Sequence, residues 1–251
     1  MSARAESWRR AAGRPLLRAH RGASTVAPQD TIGAMRAARA AGADAVEIDV
    51  RLCRTGEVVV FHDADVRRLA GRPERVADLS LADIRGLDLG RGARVATFAE
   101  VLEEIGRDLL VDVEIKAEVA RDFGLEAGVA AELRRQGLGE RVMISSFHPV
   151  ALWRFQRLMP TTPTGLIFAD DQSLPLRRAW PAYLLRPLWL APQSTLCSVR
   201  QLAEWHRAGF AVNCWVADDP AEARALCAMG ADALTSNDPA RIRGVLDEVP
   251  A

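Results

Sequence analysis

The feature that most constrains the fold is a regular alternation of short apolar runs with helical patterns, from residue 15 to the end of the chain. Strands are predicted at residues 16–19, 44–50, 109–115, 142–145, 164–168, 188–191, 210–216 and 231–234. Helices are predicted at residues 31–41, 98–105, 122–136, 149–158, 199–208, 220–229 and 239–248. A short helix is also predicted within residues 170–193, before the strand at 188–191. Because about eight strands are each followed by a helix, the pattern predicts an α/β fold, the (βα)8 TIM barrel.

Residues 63–97 interrupt this alternation, directly after a short extra strand predicted at residues 57–61. They contain turn residues and one short helical pattern near residues 81–85, but no clear barrel strand. We therefore predict a small insertion after the second barrel strand. Residues 1–14 are predicted to be a flexible N-terminus, and residues 15–251 a single barrel domain.

The composition fits one domain with a full core and excludes several classes of partner. Of the 251 residues 49% are hydrophobic, and 33 basic residues balance 33 acidic ones. A nucleic-acid-binding protein needs a basic stripe, which this balance does not suggest. The four cysteines show no CxxC spacing, which predicts free thiols. No segment resembles a signal peptide or a membrane span, so we expect a cytoplasmic protein, and no protein partner is implied.

Ionisable residues lie at the C-terminal ends of the strands predicted in the first half of the chain, where such a barrel carries its active site. The set comprises two histidines, three carboxylates and two cations: His20, His62, Glu47, Asp49, Glu114, Arg21 and Lys116. Glu47 and Asp49 alternate with apolar residues, so both point to one face of a strand. Charged groups are rarely buried unless they are paired or bind a metal, so this set predicts a functional site.

The residue types in this set indicate a particular chemistry. Three converging carboxylates repel one another unless a divalent cation binds them, and all-oxygen ligands suit Mg²⁺ or Ca²⁺. Two histidines beside a metal suit proton transfer in both directions. Arg21 and Lys116 add fixed positive charge, which suits an anionic group such as phosphate. Together these residues predict metal-assisted cleavage of a phosphodiester.

At these motifs the sequence resembles the glycerophosphodiester phosphodiesterase family. The family carries His-Arg-Gly, Glu-x-Asp, His-Asp and Glu-x-Lys motifs in this order, found here at residues 20–22, 47–49, 62–63 and 114–116. Further similar segments are residues 76–80, 87–90, 144–147, 212–216 and 230–235. The resemblance therefore covers nearly the whole chain.

The resemblance implies an enzyme that hydrolyses glycerophosphodiesters to glycerol 3-phosphate and an alcohol. The implied roles are acid–base catalysis for His20 and His62, metal ligation for Glu47, Asp49 and Glu114, and phosphate contact for Arg21 and Lys116. One Mg²⁺ or Ca²⁺ would be the cofactor. The attacking group is either a glycerol hydroxyl of the substrate or water, since both need the same residues. Trp215 either belongs to the core or lines the substrate cleft, and we keep it as a candidate substrate contact.

One departure from the family leaves an alternative open. Pro28-Gln29-Asp30-Thr31 stands where the family has Pro-Glu-Asn-Thr at the start of the first helix. We expect Asp30 to cap that helix. The lost Glu and Asn bear on hydrogen bonds near the site, so a barrel that binds phosphodiesters without turning them over is one alternative.

A second alternative comes from residues 180–190, which hold aromatic and aliphatic residues and two prolines. They form either an apolar lip that contacts a membrane surface, or an ordinary helix and strand with a kinked connection. We favour the ordinary structure, because the barrel needs one more strand here. An apolar lip would instead suit a lysophospholipase D, which acts on lysophospholipids.

Overall fold

Eight parallel strands close into a barrel in the computed structural model, which describes residues 8, 14–117 and 124–248. The strands of the described residues are β1 (Leu16–His20), β2 (Ala45–Leu52), β3 (Val58–Val60), β4 (Leu110–Ile115), β5 (Val142–Ser146), β6 (Thr164–Phe168), β7 (Trp189–Pro192), β8 (Ala211–Cys214) and β9 (Ala233–Ser236). The ring runs β1–β2–β4–β5–β6–β7–β8–β9, and β9 pairs with β1 to close it. β3 stands outside the ring as an antiparallel partner of the end of β2.

Helices connect the strands and cover the outside of the barrel. They are α1 (Ile32–Ala40), α2 (Arg67–Ala70), α3 (Leu81–Arg85), α4 (Phe98–Ile105), α5 (Leu125–Gln136), α6 (Pro149–Leu158), α7 (Leu174–Arg177), α8 (Trp180–Leu185), α9 (Val199–Arg207), α10 (Pro220–Ala228) and α11 (Pro239–Asp247). Local sequence sets their starts. Asp219 and Asp238 each precede a proline in the first turn, and each side chain accepts a backbone N–H there. α4 shows the usual packing, burying four apolar side chains at helical spacing.

The lower half of the barrel interior holds a buried arginine. Arg18 donates to Asp112 Oδ2 at 2.8 Å, and Ser145 Oγ donates to Asp112 Oδ1 at 2.7 Å. The guanidinium carbon of Arg18 lies 4.2 Å from the ring centroid of Trp189 and 5.4 Å from that of Trp8. We call these five residues the lower cluster. One ion pair and two aromatic rings surround the guanidinium, whose Nε and Nη2 are buried without a hydrogen-bond partner among the described residues.

The segment between β2 and α4 forms a small layer beside the barrel. It contains β3, α2, α3 and a 3-10 turn at Val76–Asp78. Its apolar side chains, including Phe61, Ile84 and Leu87, pack into a cluster separate from the main core. This layer holds the residues that follow β3, among them His62, at the C-terminal end of the barrel.

The predicted fold is confirmed, including the small insertion after the second barrel strand. Residues 180–190 form the helix and strand that the ordinary interpretation predicted, α8 and the start of β7. The predicted helix start at residue 122 and most of residues 1–14 lie outside the described residues, so the predicted domain division stays a prediction. Among the described residues, no helix has both the length and the hydropathy that a membrane crossing requires. The cytoplasmic location stays a prediction.

Candidate active site

Three carboxylates converge at the C-terminal ends of β2 and β4. The parallel register places Asp49 opposite Glu114, and the alternation of β2 turns Glu47 to the same face as Asp49. One carboxylate oxygen of each residue lies within 4.8 Å of the others, and all three residues are buried. The structure thus brings the three predicted metal ligands together, close enough to share one cation.

Arg21 and Lys116 supply positive charge beside these carboxylates. Arg21 Nε lies 3.0 Å from Asp49 Oδ2, and the Arg21 backbone N–H donates to Glu47 Oε2 at 3.0 Å. Lys116 Nζ lies 2.5 Å from Glu114 Oε1 and 2.9 Å from Asp49 Oδ1. Burial opposes ionisation of Asp49, but the charges of Lys116 and Arg21 lower its pKa below the ordinary value. Asp49 is therefore the carboxylate that the two cations keep charged.

The other two carboxylates are incompletely neutralised. Burial, followed by the charge of Asp49, raises the pKa of Glu114 to about 7 and raises that of Glu47 well above its ordinary value. Oε1 of Glu47 is buried without a hydrogen-bond partner among the described residues. A buried carboxylate oxygen with no donor is costly unless a cation binds it. The residues present therefore fit a divalent cation held by oxygen ligands.

His20 ends β1 and is oriented by a residue near the other end of the chain. Its Nδ1 lies 2.8 Å from Oδ1 of Asn237, whose amide nitrogen donates to Asp218 Oδ2 at 2.6 Å. Because the Asn237 amide nitrogen is engaged by Asp218, its oxygen accepts, and His20 Nδ1 carries the proton. Burial and the charge of Arg21 lower the pKa of His20 to about 4. The ring is therefore neutral at pH 7, with a free lone pair on Nε2, which lies 4.0 Å from Glu47 Oε2.

His62 is oriented in the same way by its neighbour. Its Nδ1 lies 2.6 Å from Asp63 Oδ1, and Arg68 Nε donates to the other Asp63 oxygen at 2.7 Å. Arg51 Nε donates to the backbone carbonyl of His62 at 2.9 Å and fixes the turn. Burial lowers the pKa of His62 below its ordinary value. Like His20, His62 has its Nδ1 held by an oxygen acceptor, and its Nε2 is left for other partners.

Asp30 adds a fourth carboxylate, and its predicted role as a helix cap was wrong. Thr31 caps α1 instead, its hydroxyl oxygen accepting a first-turn N–H at 3.2 Å. Asp30 has a left-handed backbone, with φ of 58°, and its Oδ1 lies 3.4 Å from the backbone nitrogen of Asp49. Burial and the charge of Asp49 raise the pKa of Asp30 well above its ordinary value. Gln29 also contacts the site, since its Oε1 accepts from Arg21 at 3.3 Å.

Trp215 follows β8 at the same end of the barrel. Its Nε1 donates to the Ala191 carbonyl at 2.8 Å, which engages its single donor. Its ring packs edge-on against Phe147 with centroids 5.6 Å apart, and Lys116 Nζ lies 6.0 Å from the Phe147 ring centroid. Trp215 therefore stands one side chain away from Lys116, and only its ring is available to a ligand.

Asn237 is the site residue that the sequence analysis missed. It is uncharged and follows a strand in the last fifteen residues, far from the motifs of the first half. The signal that would have found it is barrel closure, which must place the last strand beside the first. A polar residue directly after the last strand is then a neighbour of His20.

Comparisons with known proteins agree with this geometry. The profile of the Glycerophosphoryl diester phosphodiesterase family matches residues 20–241. A Glycerophosphodiester phosphodiesterase from Caldanaerobacter subterraneus subsp. tengcongensis is 32% identical over 235 residues, which cover 89% of this chain and 94% of that protein.

Two solved structures share the fold. One is an Oleispira antarctica phosphodiesterase in complex with the product sn-glycerol-3-phosphate, at TM-score 0.83 and 27% identity over 94% of this chain and 98% of that one. The other is a glycerophosphodiester phosphodiesterase from Thermotoga maritima, at TM-score 0.76 and 24% identity over 92% of this chain and 98% of that one. The family resemblance is thereby confirmed: the chain belongs to the glycerophosphoryl diester phosphodiesterase family and is an enzyme of the phosphoric diester hydrolase class.

Proposed function

We propose that the enzyme hydrolyses glycerophosphodiesters to glycerol 3-phosphate and an alcohol such as choline or ethanolamine, using one divalent cation and two histidines. The observation that carries the proposal is the site itself. Three buried carboxylates with oxygens within 4.8 Å share the C-terminal end of the barrel with two histidines that are each held through Nδ1. The product bound to the Oleispira antarctica relative supports glycerol 3-phosphate as the common half of the substrates.

Glu47, Asp49 and Glu114 hold the metal in this proposal, and their oxygen ligands favour Mg²⁺ or Ca²⁺. The bound metal supplies Lewis-acid polarisation of a phosphoryl oxygen. Arg21 and Lys116 bind the remaining phosphate oxygens. Their charges lie within 3.0 Å of Asp49, so they flank the position of the metal.

His20 and His62 move the protons. Each ring is fixed by an oxygen at Nδ1, so each presents Nε2 to the substrate. One accepts the proton of the attacking hydroxyl, from water or from the substrate's glycerol, and the other donates a proton to the leaving oxygen. Burial lowers the pKa of both rings, so either histidine can serve as the base and the other as the acid. Trp215 lines the cleft with the face of its ring.

The test is release of glycerol 3-phosphate from glycerophosphocholine, with Mg²⁺, with Ca²⁺ and with a chelator. We expect product that the chelator abolishes. His20→Ala and His62→Ala should each lower the rate by about a hundredfold or more. His206→Ala is the matched control, because His206 pairs with Asp232 between α9 and β9 and should leave the rate unchanged. Product that survives the chelator contradicts the metal role, and tight binding without product supports the non-catalytic alternative.

Lysophospholipase D activity is a second candidate, favoured by the exposed apolar face of α8, where Leu184 is 87% exposed. Release of choline from lysophosphatidylcholine distinguishes the two substrates, because the attack on phosphorus is the same and only the acyl chain differs. A higher rate on the lysolipid than on glycerophosphocholine would favour this candidate. The reverse order would contradict it.

A further inference from the structure

Exposed apolar side chains are concentrated on one side of the barrel. Of the nine large hydrophobic side chains that are exposed among the described residues, eight lie between residues 150 and 199. They lie on or beside four consecutive helices, α6 to α9. The five that matter here are Trp153, Leu174, Trp180, Tyr183 and Leu184, which we call the α8 patch. Such clustering on one side marks an interaction surface, whereas scattered single residues do not.

The outward face of α8 is apolar where a solvent-facing helix would be polar. Trp180, Tyr183 and Leu184 are spaced i, i+3 and i+4, so they share one face, and Ala182 is buried on the opposite side. α4 shows the ordinary pattern on another side of the barrel, since it buries its apolar face and exposes Glu103. Packing against the barrel therefore does not explain the apolar residues on the outward face of α8.

The surroundings of the patch are basic. No Asp or Glu occurs from residue 172 to residue 203, although the whole chain carries equal numbers of acidic and basic residues. Four arginines lie in this range, of which Arg200 pairs with Glu204 at 2.9 Å, while Arg177, Arg178 and Arg186 lie on or beside α7 and α8. Arg157 also stacks over Trp153 at 5.2 Å. Aromatic and aliphatic side chains on a basic face are the combination that enters the headgroup region of anionic lipids.

We propose that the α8 patch docks the enzyme on the surface of an anionic lipid membrane. Trp180, Tyr183 and Leu184 enter the headgroup region, while Arg177 and Arg186 contact lipid phosphates. α7 begins six residues after β6, whose C-terminal end faces the site, so the upper edge of the patch lies at the rim of the active site. This inference does not rest on the proposed reaction, because it concerns a different surface.

The charge of the patch disfavours a second copy of the chain as its occupant. A two-fold contact places the same surface on both sides of an interface, so the arginines of one copy would face those of the other. Like charges in such an interface oppose association. An acidic protein partner would also complement the charge of the patch. Vesicle binding distinguishes a lipid surface from such a partner.

The experiment is co-sedimentation of the full chain with vesicles of phosphatidylcholine alone or with about one third phosphatidylglycerol. We expect binding to the anionic vesicles that weakens with salt. Leu184→Asp should lower it by about tenfold or more, because a carboxylate cannot enter the interface. Arg177→Gln should lower it by about fivefold, the loss expected for one basic contact.

Val26→Asp is the matched control. Among the residues that the structure describes, Val26 is the exposed large hydrophobic residue outside the 150–199 region, and its exposed fraction is 57% against 56% for Trp180. It should bind vesicles like the unmodified protein. Hydrolysis of soluble glycerophosphocholine should be unchanged in Leu184→Asp, which checks that the variant is folded. No binding by the unmodified protein at low salt, or equal binding by Leu184→Asp, overturns the proposal and points to a protein partner. A dimer that Leu184→Asp dissociates overturns it in favour of a second copy.

Discussion

The barrel interior contains two buried groups of charged side chains, one directly above the other. In the lower cluster, Arg18 faces one carboxylate, Asp112, and its remaining surface lies against aromatic rings. In the candidate active site, at the C-terminal ends of the strands, four carboxyl groups face two cations, and Oε1 of Glu47 has no hydrogen-bond partner among the described residues. The lower group pairs one carboxyl group with one cation, whereas the upper group holds more carboxyl groups than cations, and the pKa values of three of them are raised. A balanced pair can be purely structural, whereas buried carboxyl groups without enough cations imply a ligand whose charge lets them ionise.

The largest expected effect comes from removing one carboxyl group from the upper group. Glu47→Gln should lower kcat/KM by about a thousandfold or more, because the proposed metal site loses a ligand. Its free energy of unfolding in chelator should stay the same or rise, because burial and the charge of Asp49 already oppose ionisation of Glu47 when no metal is bound. Steady-state kinetics and denaturant unfolding measure the two effects. Glu103→Gln, on the exposed face of α4, is the control, and a loss of stability in Glu47→Gln would break the comparison.

The same kind of change in the lower cluster should act in the opposite way. Asp112→Asn leaves the Arg18 charge buried without its partner and should lower the free energy of unfolding by about 3 kcal/mol. Denaturant unfolding in chelator measures this. Asp108→Asn is the control, since Asp108 is exposed and pairs with Arg39 at 2.5 Å, and its loss should stay below about 1 kcal/mol. An unchanged free energy of unfolding in Asp112→Asn would show that the ion pair between Arg18 and Asp112 is dispensable for stability.

The effect of a divalent cation on the melting temperature should distinguish variants of the two groups. A divalent cation at about a hundred times its Kd should stabilise the native protein by about 2.7 kcal/mol, since it binds the folded site alone. The shift in melting temperature should persist in Asp112→Asn and disappear in Glu47→Gln. An equal shift in both variants would place the bound cation elsewhere.

The smallest of these effects concerns orientation rather than charge. Asn237→Ala should lower kcat by about tenfold to a hundredfold with little change in KM, because His20 loses the acceptor that holds its ring. Asn213→Ala is the control: Asn213 is an asparagine buried in the barrel interior that bonds to Thr235 instead of a histidine. It should cost stability and leave kcat unchanged. Equal kcat values for the two variants would exclude a positioning role for Asn237.

The sequence predicted the upper group more completely than the lower one, for a physical reason. Glu47, Asp49 and Glu114 stand in short strands whose two-residue alternation fixes the direction of each side chain. The partners of Arg18 lie on other elements, and no local pattern connects them. Asp30 shows the same limit, because its position behind Asp49 depends on a left-handed backbone that its neighbours in sequence do not indicate. Local periodicity thus predicts which residues face the centre of the barrel, while contacts between distant strands require the closed ring.

The hydrogen bond between His20 and Asn237 joins residues 217 positions apart. Protein synthesis proceeds from the N-terminus, so a growing chain contains both histidines and the three carboxylates of the candidate metal site once β4 has been made. It cannot orient His20 until β9 and the residue after it have left the ribosome. Contacts this distant in sequence also form late because of their loop-closure entropy. Catalytic competence is therefore acquired only after β9 has been made, and a nascent chain can hold both histidines and the three carboxylates of the candidate metal site while His20 is still unoriented.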